Sequence, residues 1–280
     1  MIIYRYNKVI VQCVYKDKIK KKVNVQNDGE LQWLSILIPI ISTKKMAGMD
    51  MKDYNIAEAV TKERLIYENP LGQEKDIAEF VLEGQADISF ENNCMRLKNA
   101  EDTGLGQKSN YVLWCPQTFP ENLLITWEFR PVTDVGLCIL FFAAEGKNGK
   151  DLFDTSLAKR AGEYSQYHSG DINAFHISYF RRKEPDERKF HTCNLRKSYG
   201  FHLVAQGADP LPSAADAMDF YRIAVTKYQD RISFSIQDLC IVSYMDDGIT
   251  YGDTLKKGKI GFRQLAPLTA EYRNLKVYEL

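Results

Sequence analysis

No C-x-x-C pair occurs in this 280-residue chain, and its six cysteines, at positions 13, 94, 115, 138, 193 and 240, follow no regular spacing. Zinc ribbons and disulfide scaffolds need closely spaced or paired cysteines, so neither is indicated. The six read as small apolar core residues in a reducing compartment. Net charge is equally scarce, with 37 Lys and Arg against 37 Asp and Glu. Without excess cation, neither a general nucleic-acid binder nor a basic membrane-surface protein is expected. Long hydrophobic runs are missing too. The stretch LSILIPII, ending at Ile41, is too brief to span a bilayer. More than thirty residues precede it, among them KDKIKKK, which a signal peptide does not tolerate, so a cytoplasmic protein is expected. Hydrophobic residues at 45% and charged ones at 26% exclude a disordered or collagen-like chain.

The balance of charge hides an uneven distribution. Residues 1–45 hold nine Lys or Arg against three Asp or Glu, show no sustained period, and lead into Met46, Met49 and Met51. Residues 1–60 are read as an N-terminal extension, disordered or not part of the native protein, with a strand pair from Ile2 to Val14 as the alternative. Residues 61–280 form the domain. There the pattern is period two or short apolar runs broken by Gly, Asn, Asp and Pro, which marks an all-β chain. In LLITWEFRP, Ile125, Trp127 and Phe129 alternate with Thr126, Glu128 and Arg130; GLCILFFAA, from Gly136 to Ala144, is apolar on both faces and predicts a central, doubly covered strand. Lys227–Arg231 and Gln237-Asp238 are natural hairpin turns. The fold class is a two-sheet antiparallel sandwich of jelly-roll type. Two long connections, 145–171 and 206–219, are candidate walls of a groove, the first with a short helix around Ser156–Lys159.

All four histidines of the chain, His168, His176, His191 and His202, fall within 35 residues that also carry seven Lys or Arg against four Asp or Glu. Imidazoles and cations on strands beside a long loop suit an anionic ligand. Strand parity places Phe175, Ile177 and Tyr179 on one face and His176, Ser178 and Arg182 on the other. Asn194 and Arg196 share a polar face opposite Cys193 and Leu195, and Phe201 and Leu203 leave His202 on the far side. If these strands are neighbours, His176, Arg182, Asn194, Arg196 and His202 converge. The catalytic candidates are His176, His202, Tyr179, Arg182 and Arg196, and the substrate-binding candidates are His168, Ser178, Asn194, Trp114 and Tyr199. Sugar rings stack on aromatic faces, which is the reason for including Trp114 and Tyr199, with Tyr164, Tyr167 and Tyr251 in similar positions. No metal is expected, since no two histidines share a ligand spacing with a carboxylate or thiolate. Asp151 and Asp154 of DLFD are read as caps, with a structural calcium as the alternative.

The blocks WCPQTFP, GLCILFFAAEG, DLFD, YHSGDINAFHISYFRRK, TCNLRKSYGFHL, GADPLP, MDDGITYG and GKIGFRQLAP, between roughly Leu65 and Leu280, resemble the bacterial YesU family. That resemblance implies a concanavalin A-like jelly roll of the lectin and glucanase type. It also implies a role connected with rhamnogalacturonan, whose backbone contains galacturonate, and hands over no established reaction. The E-x-D-x-x-E strand of retaining glucanases is absent, which disfavours a glycoside hydrolase of that kind. The expectation is a protein that acts on or binds a uronate-containing oligosaccharide, by β-elimination if it is an enzyme, with a non-catalytic lectin-like protein as the alternative. No cofactor is expected, the partner is an anionic oligosaccharide rather than nucleic acid or membrane, and the protein is a monomer or homodimer.

Overall fold

The structure is a computed structural model that describes residues 63–280 and, ahead of them, the backbone of four strands. Those strands, β1 (Ile2–Tyr6), β2 (Val9–Cys13), β3 (Val23–Asn27) and β4 (Glu30–Leu34), pair in order as an antiparallel sheet within a compact unit, Met1–Tyr54. The alternative strand pair from Ile2 to Val14 corresponds to β1 and β2. The apolar run ending at Ile41 lies outside the described residues apart from its first residue, Leu34.

The second unit, Asn55–Leu280, is a sandwich. Its strands are β5 (Arg64–Asn69), β6 (Val81–Glu83), β7 (Ala86–Glu91), β8 (Cys94–Asn99), β9 (Tyr111–Trp114), β10 (Leu123–Pro131), β11 (Leu137–Gly146), β12 (Ile172–Tyr179), β13 (Thr192–Ser198), β14 (His202–Ala208), β15 (Tyr221–Tyr228), β16 (Arg231–Ile236), β17 (Leu239–Met245), β18 (Lys259–Leu265) and β19 (Thr269–Glu279). One sheet runs β17-β16-β15-β10-β19-β8-β7, with β5 also paired along the long β19; the other runs β14-β13-β12-β11-β18-β9-β6. Every pairing is antiparallel. Gln229 and the pair Gln237 and Asp238 adopt left-handed backbone, as two-residue hairpin turns require.

Alternation decides what each sheet face buries. Ile125, Trp127 and Phe129 of β10 meet Cys138, Leu140 and Phe142 of β11 and Phe175, Ile177 and Tyr179 of β12 in the core between the sheets. Most polar atoms inside it are partnered: the Trp127 indole donates to the Tyr179 hydroxyl (3.2 Å), and the Tyr272 hydroxyl donates to Gln264 Oε1 (2.8 Å), whereas the Tyr111 hydroxyl has no partner. The other parity of β11 builds a second apolar layer, in which Leu137, Ile139 and Phe141 join Val112 and Trp114 of β9 on the outer face of the seven-stranded sheet. Leu152 and Tyr167 of the long connection cover it. β11 is therefore central and buried on both faces, as its composition predicts.

Gly261 makes this covering possible, because a Cβ there would sit 2.4 Å from the Trp114 ring. Gly261→Ala should cost about 1–3 kcal/mol by overpacking, read as a lower urea midpoint with an unchanged slope. An unchanged midpoint would show that the indole can shift freely.

The connections differ from expectation in detail. Residues 156–159 form no helix, since Asp151 and Asp154 turn the chain by accepting from the backbone N–H of Phe153 and Ser156 (both 2.8 Å). The short helix lies at Ser165–His168. Gln206 to Ala208 belong to β14, so the second connection begins at Asp209.

Candidate active site on the outer face

Antiparallel partners share a face, so the register writes two rows of side chains across the seven-stranded sheet. The first runs Trp114, Gly261, Phe141, His176, Arg196, Leu203, and the second Val112, Arg263, Ile139, Ser178, Asn194, Gln206. The helix Ser165–His168 and Tyr164 just before it lie over the first row. The His176 ring packs against Phe141 (centroids 5.1 Å) and Tyr164 (5.6 Å), and His168 stands beside Tyr164 (4.9 Å) and Phe201 (4.6 Å).

The electrostatics of this cluster are unbalanced. His176 is fully buried and both its ring nitrogens lack a hydrogen-bond partner. Burial, and then the charge of Arg196, push its pKa well below the ordinary histidine value, so the ring is neutral at physiological pH. Arg196 is half-buried. Its Nη1 donates to the Phe201 carbonyl (3.0 Å) and its guanidinium lies 3.7 Å from the Phe201 ring centroid. Arg263, at 0% exposure, donates through Nη1 to the Gly162 carbonyl and through Nη2 to Gln107 Oε1 (3.2 Å), while its Nε has no partner. Burial lowers its pKa to about 10, which still leaves it cationic. Neither arginine forms an ion pair among the described residues. Gly162 reaches its place by left-handed backbone (φ +96°) tight against Asn110, where a Cβ would fall 1.9 Å from the Asn110 carbonyl oxygen. A buried cation without a counter-charge and an unpartnered imidazole each carry a desolvation cost, offset for Arg263 by its bonds to Gly162 and Gln107 and by the Tyr164 and Tyr167 rings against it.

Comparison with known proteins places the sandwich. A family model described as "Domain of unknown function (DUF1961)" matches residues 64–277. The chain belongs to the DUF1961 family. It is similar to "Uncharacterized protein YesU" of Bacillus subtilis (strain 168), with 52% identity over 214 residues, covering 76% of this chain and 95% of that protein. It is also similar to a crystal structure described as a protein of unknown function with galectin-like fold from Bacillus subtilis, with 51% identity and a TM-score of 0.74 over 78% of this chain and 98% of the other. The DUF1961 sandwich is thus an all-β, two-sheet, galectin-like fold. No helix among the described residues is long and apolar enough to cross a membrane.

Within the DUF1961 domain, His176, Arg196 and His168 come together, and Ser178 and Asn194 lie in the adjacent row, Asn194 hydrogen-bonded to Gln206 (2.7 Å). Four other candidates lie elsewhere. Tyr179 faces the inter-sheet core with its hydroxyl held by Trp127. Arg182 is off the strand: Phe180 takes left-handed backbone (φ 49°), ends the alternation, and sends Arg182 to the Leu211 carbonyl and toward Asp134 (3.7 Å). His202 opposes Lys197 instead of Arg196, because a register shift between Leu195 and Arg196 inverts β14, and its ring stacks on Tyr251 (4.4 Å). Tyr199 is exposed, with Lys147 Nζ over its ring at 4.1 Å. Trp114 is on the right face but fully buried beneath the connection, its indole donating to Glu83 Oε2 (2.9 Å), so it offers no platform to a sugar. Asp151 pairs with Lys259 (3.0 Å), and no group of three His, Cys, Asp or Glu side chains suited to a metal occurs among the described residues.

Arg263 is absent from the sequence-derived set. Its signal was parity: in KIGFRQL, Ile260, Phe262 and Gln264 face the core, which leaves an arginine in the middle of a wholly buried strand on the His176 face.

A pH effect follows from His176. Its folded pKa lies below the unfolded value of about 6.5, so below that pH the unfolded chain binds the extra proton and stability falls. The expected loss attributable to His176 is about 1.4 kcal/mol per pH unit below 6.5 until the folded group titrates. Urea melts of wild type and His176→Phe between pH 5 and 7 check this; parallel pH profiles would contradict it.

Proposed function

We propose that the DUF1961 sandwich recognises a uronate-bearing oligosaccharide on the outer face of its seven-stranded sheet and cleaves it by β-elimination. The observation that carries this reading is a neutral, buried histidine with two free ring nitrogens, flanked by two guanidinium groups without acidic partners. The galectin-like architecture supports a sugar as the ligand. The uncompensated positive charge supports an acidic one, and the family resemblance points to galacturonate of pectin type. In this reading the Arg196 fork holds the uronate carboxylate, which stabilises charge developing at C5 as its proton leaves. His176 takes that proton, being neutral and without a competing bond. The reaction acts on soluble fragments in the cytoplasm.

Incubation with rhamnogalacturonan-derived and homogalacturonan oligosaccharides should raise absorbance at the unsaturated-uronate band. No rise across a broad uronide panel would retire the elimination.

One observation favours a second reading, a non-catalytic sugar binder. His176 is wholly covered, with Phe141 and Tyr164 against its ring, whereas Arg196, His168 and Phe201 are partly exposed as they stand. Calorimetry separates the two: a binder titrates to a constant endpoint with no product, and an enzyme continues to release heat.

A further inference from the structure

An elimination needs an acid as well as a base, because the departing glycosidic oxygen must collect a proton. The tyrosine in the right surroundings is not the one on β12. Tyr164 stands edge-on to His176 (5.6 Å between centroids, 72° between planes), His168 (4.9 Å) and Phe201 (5.5 Å), with the Arg263 guanidinium over its ring at 5.0 Å. The charges of Arg263, Arg196 and Arg181 all bear on its phenol and oppose burial, which lifts the pKa to about 12.

The hydroxyl itself is uncommitted. The Tyr167 hydroxyl accepts from Gly162 N (3.0 Å), that of Tyr179 from Trp127, and that of Tyr272 donates to Gln264. Among the described residues the Tyr164 hydroxyl makes no such bond, and unlike those three its residue is only half-buried. A polar group beside a cationic cluster, with its proton uncommitted and guanidinium charges that offset part of the burial disfavouring its conjugate base, is placed for proton donation.

We propose that Tyr164 is the catalytic acid of the elimination, a role that rests on the β-elimination reading above. His176 removes the C5 proton, and the C–H electron pair forms the C4–C5 double bond. The C4–O bond breaks with its pair going to oxygen, and that oxygen takes the Tyr164 proton. Arg196 and Arg263 hold the resulting phenolate until the proton taken up by His176 passes to it, directly or relayed by water, which restores both groups. No oxidant or other co-reactant is required.

The test compares wild type with Tyr164→Phe on two probes, a galacturonate oligosaccharide and a uronide whose C4 substituent is 4-nitrophenoxide, a leaving group that needs no acid. Tyr164→Phe should lose about 10²–10⁴-fold in kcat on the oligosaccharide. It should keep its calorimetric Kd within about threefold, as a variant altered only in proton donation does. Turnover of the nitrophenoxide probe should survive, and the melting temperature should match wild type. A variant that cleaves the oligosaccharide at the wild-type rate, or loses both probes equally, overturns the role of Tyr164 alone. A wild type that cleaves neither probe overturns the elimination reading and this role with it.

Discussion

Arg196→Met should weaken binding of a galacturonate oligosaccharide by roughly 30- to 150-fold, about 2–3 kcal/mol, with little change in melting temperature. The separation of the two effects comes from what Arg196 touches. Its protein contacts are the Phe201 carbonyl and ring, with no carboxylate, so little folding energy depends on it. A ligand carboxylate would be its first acidic partner and would gain a bidentate, charge-assisted pair in a half-desolvated setting. Arg196→Lys should recover only part of the loss, since an ammonium keeps the charge and gives up both the fork and the stacking on Phe201. Calorimetry beside a thermal melt reads both quantities. A large fall in melting temperature with unchanged affinity would make Arg196 a structural residue.

The largest stability effect is expected one position further along β13. Lys197 points to the opposite face, where its Nζ lies 2.8 Å from each carboxylate oxygen of Asp246 and 2.8 Å from the Gly252 carbonyl, with the pair 1% and 2% exposed. It ties the strand that carries Arg196 to the segment after β17, in the other sheet. Asp246→Ala leaves a buried ammonium without its counter-charge, which costs about 3–5 kcal/mol. For a domain of this size that is a fall of about 6–20 °C in melting temperature. The double variant Lys197→Met, Asp246→Leu should regain most of it, because apolar groups of similar volume pay no desolvation. An Asp246→Ala protein that melts with wild type would show that the ammonium is rehydrated.

The sandwich was legible because alternation is a direct consequence of strand geometry: Trp127, Phe129, Cys138, Leu140, Phe175 and Ile177 all face the core where period two puts them. The same rule brought His176 and Arg196 to one face. It failed where the backbone departs from a regular strand. Phe180 in left-handed conformation removes Arg182, and the shift between Leu195 and Arg196 turns His202 away. Neither irregularity has a glycine or proline to announce it. β14 misled for another reason. It is an edge strand, so Leu203, and Phe201 in the turn just before it, are exposed on the site's face, at 44% and 47%, and do not mark the core. Arg263 comes from β18, a segment far from β12 in sequence that only the sheet order brings beside β11 and so onto the His176 face, and order is a property no single strand's pattern contains.

The central claim is that the face bearing His176, Arg196 and Arg263 binds an acidic sugar through charge. Its most direct test is titration calorimetry of wild type with oligogalacturonate and with the same oligosaccharide as its methyl ester, each at two salt concentrations. The free acid should bind and weaken as salt rises, while the ester, neutral and equal in shape, should bind far more weakly. Equal affinity for acid and ester, or no heat with either, would contradict the account.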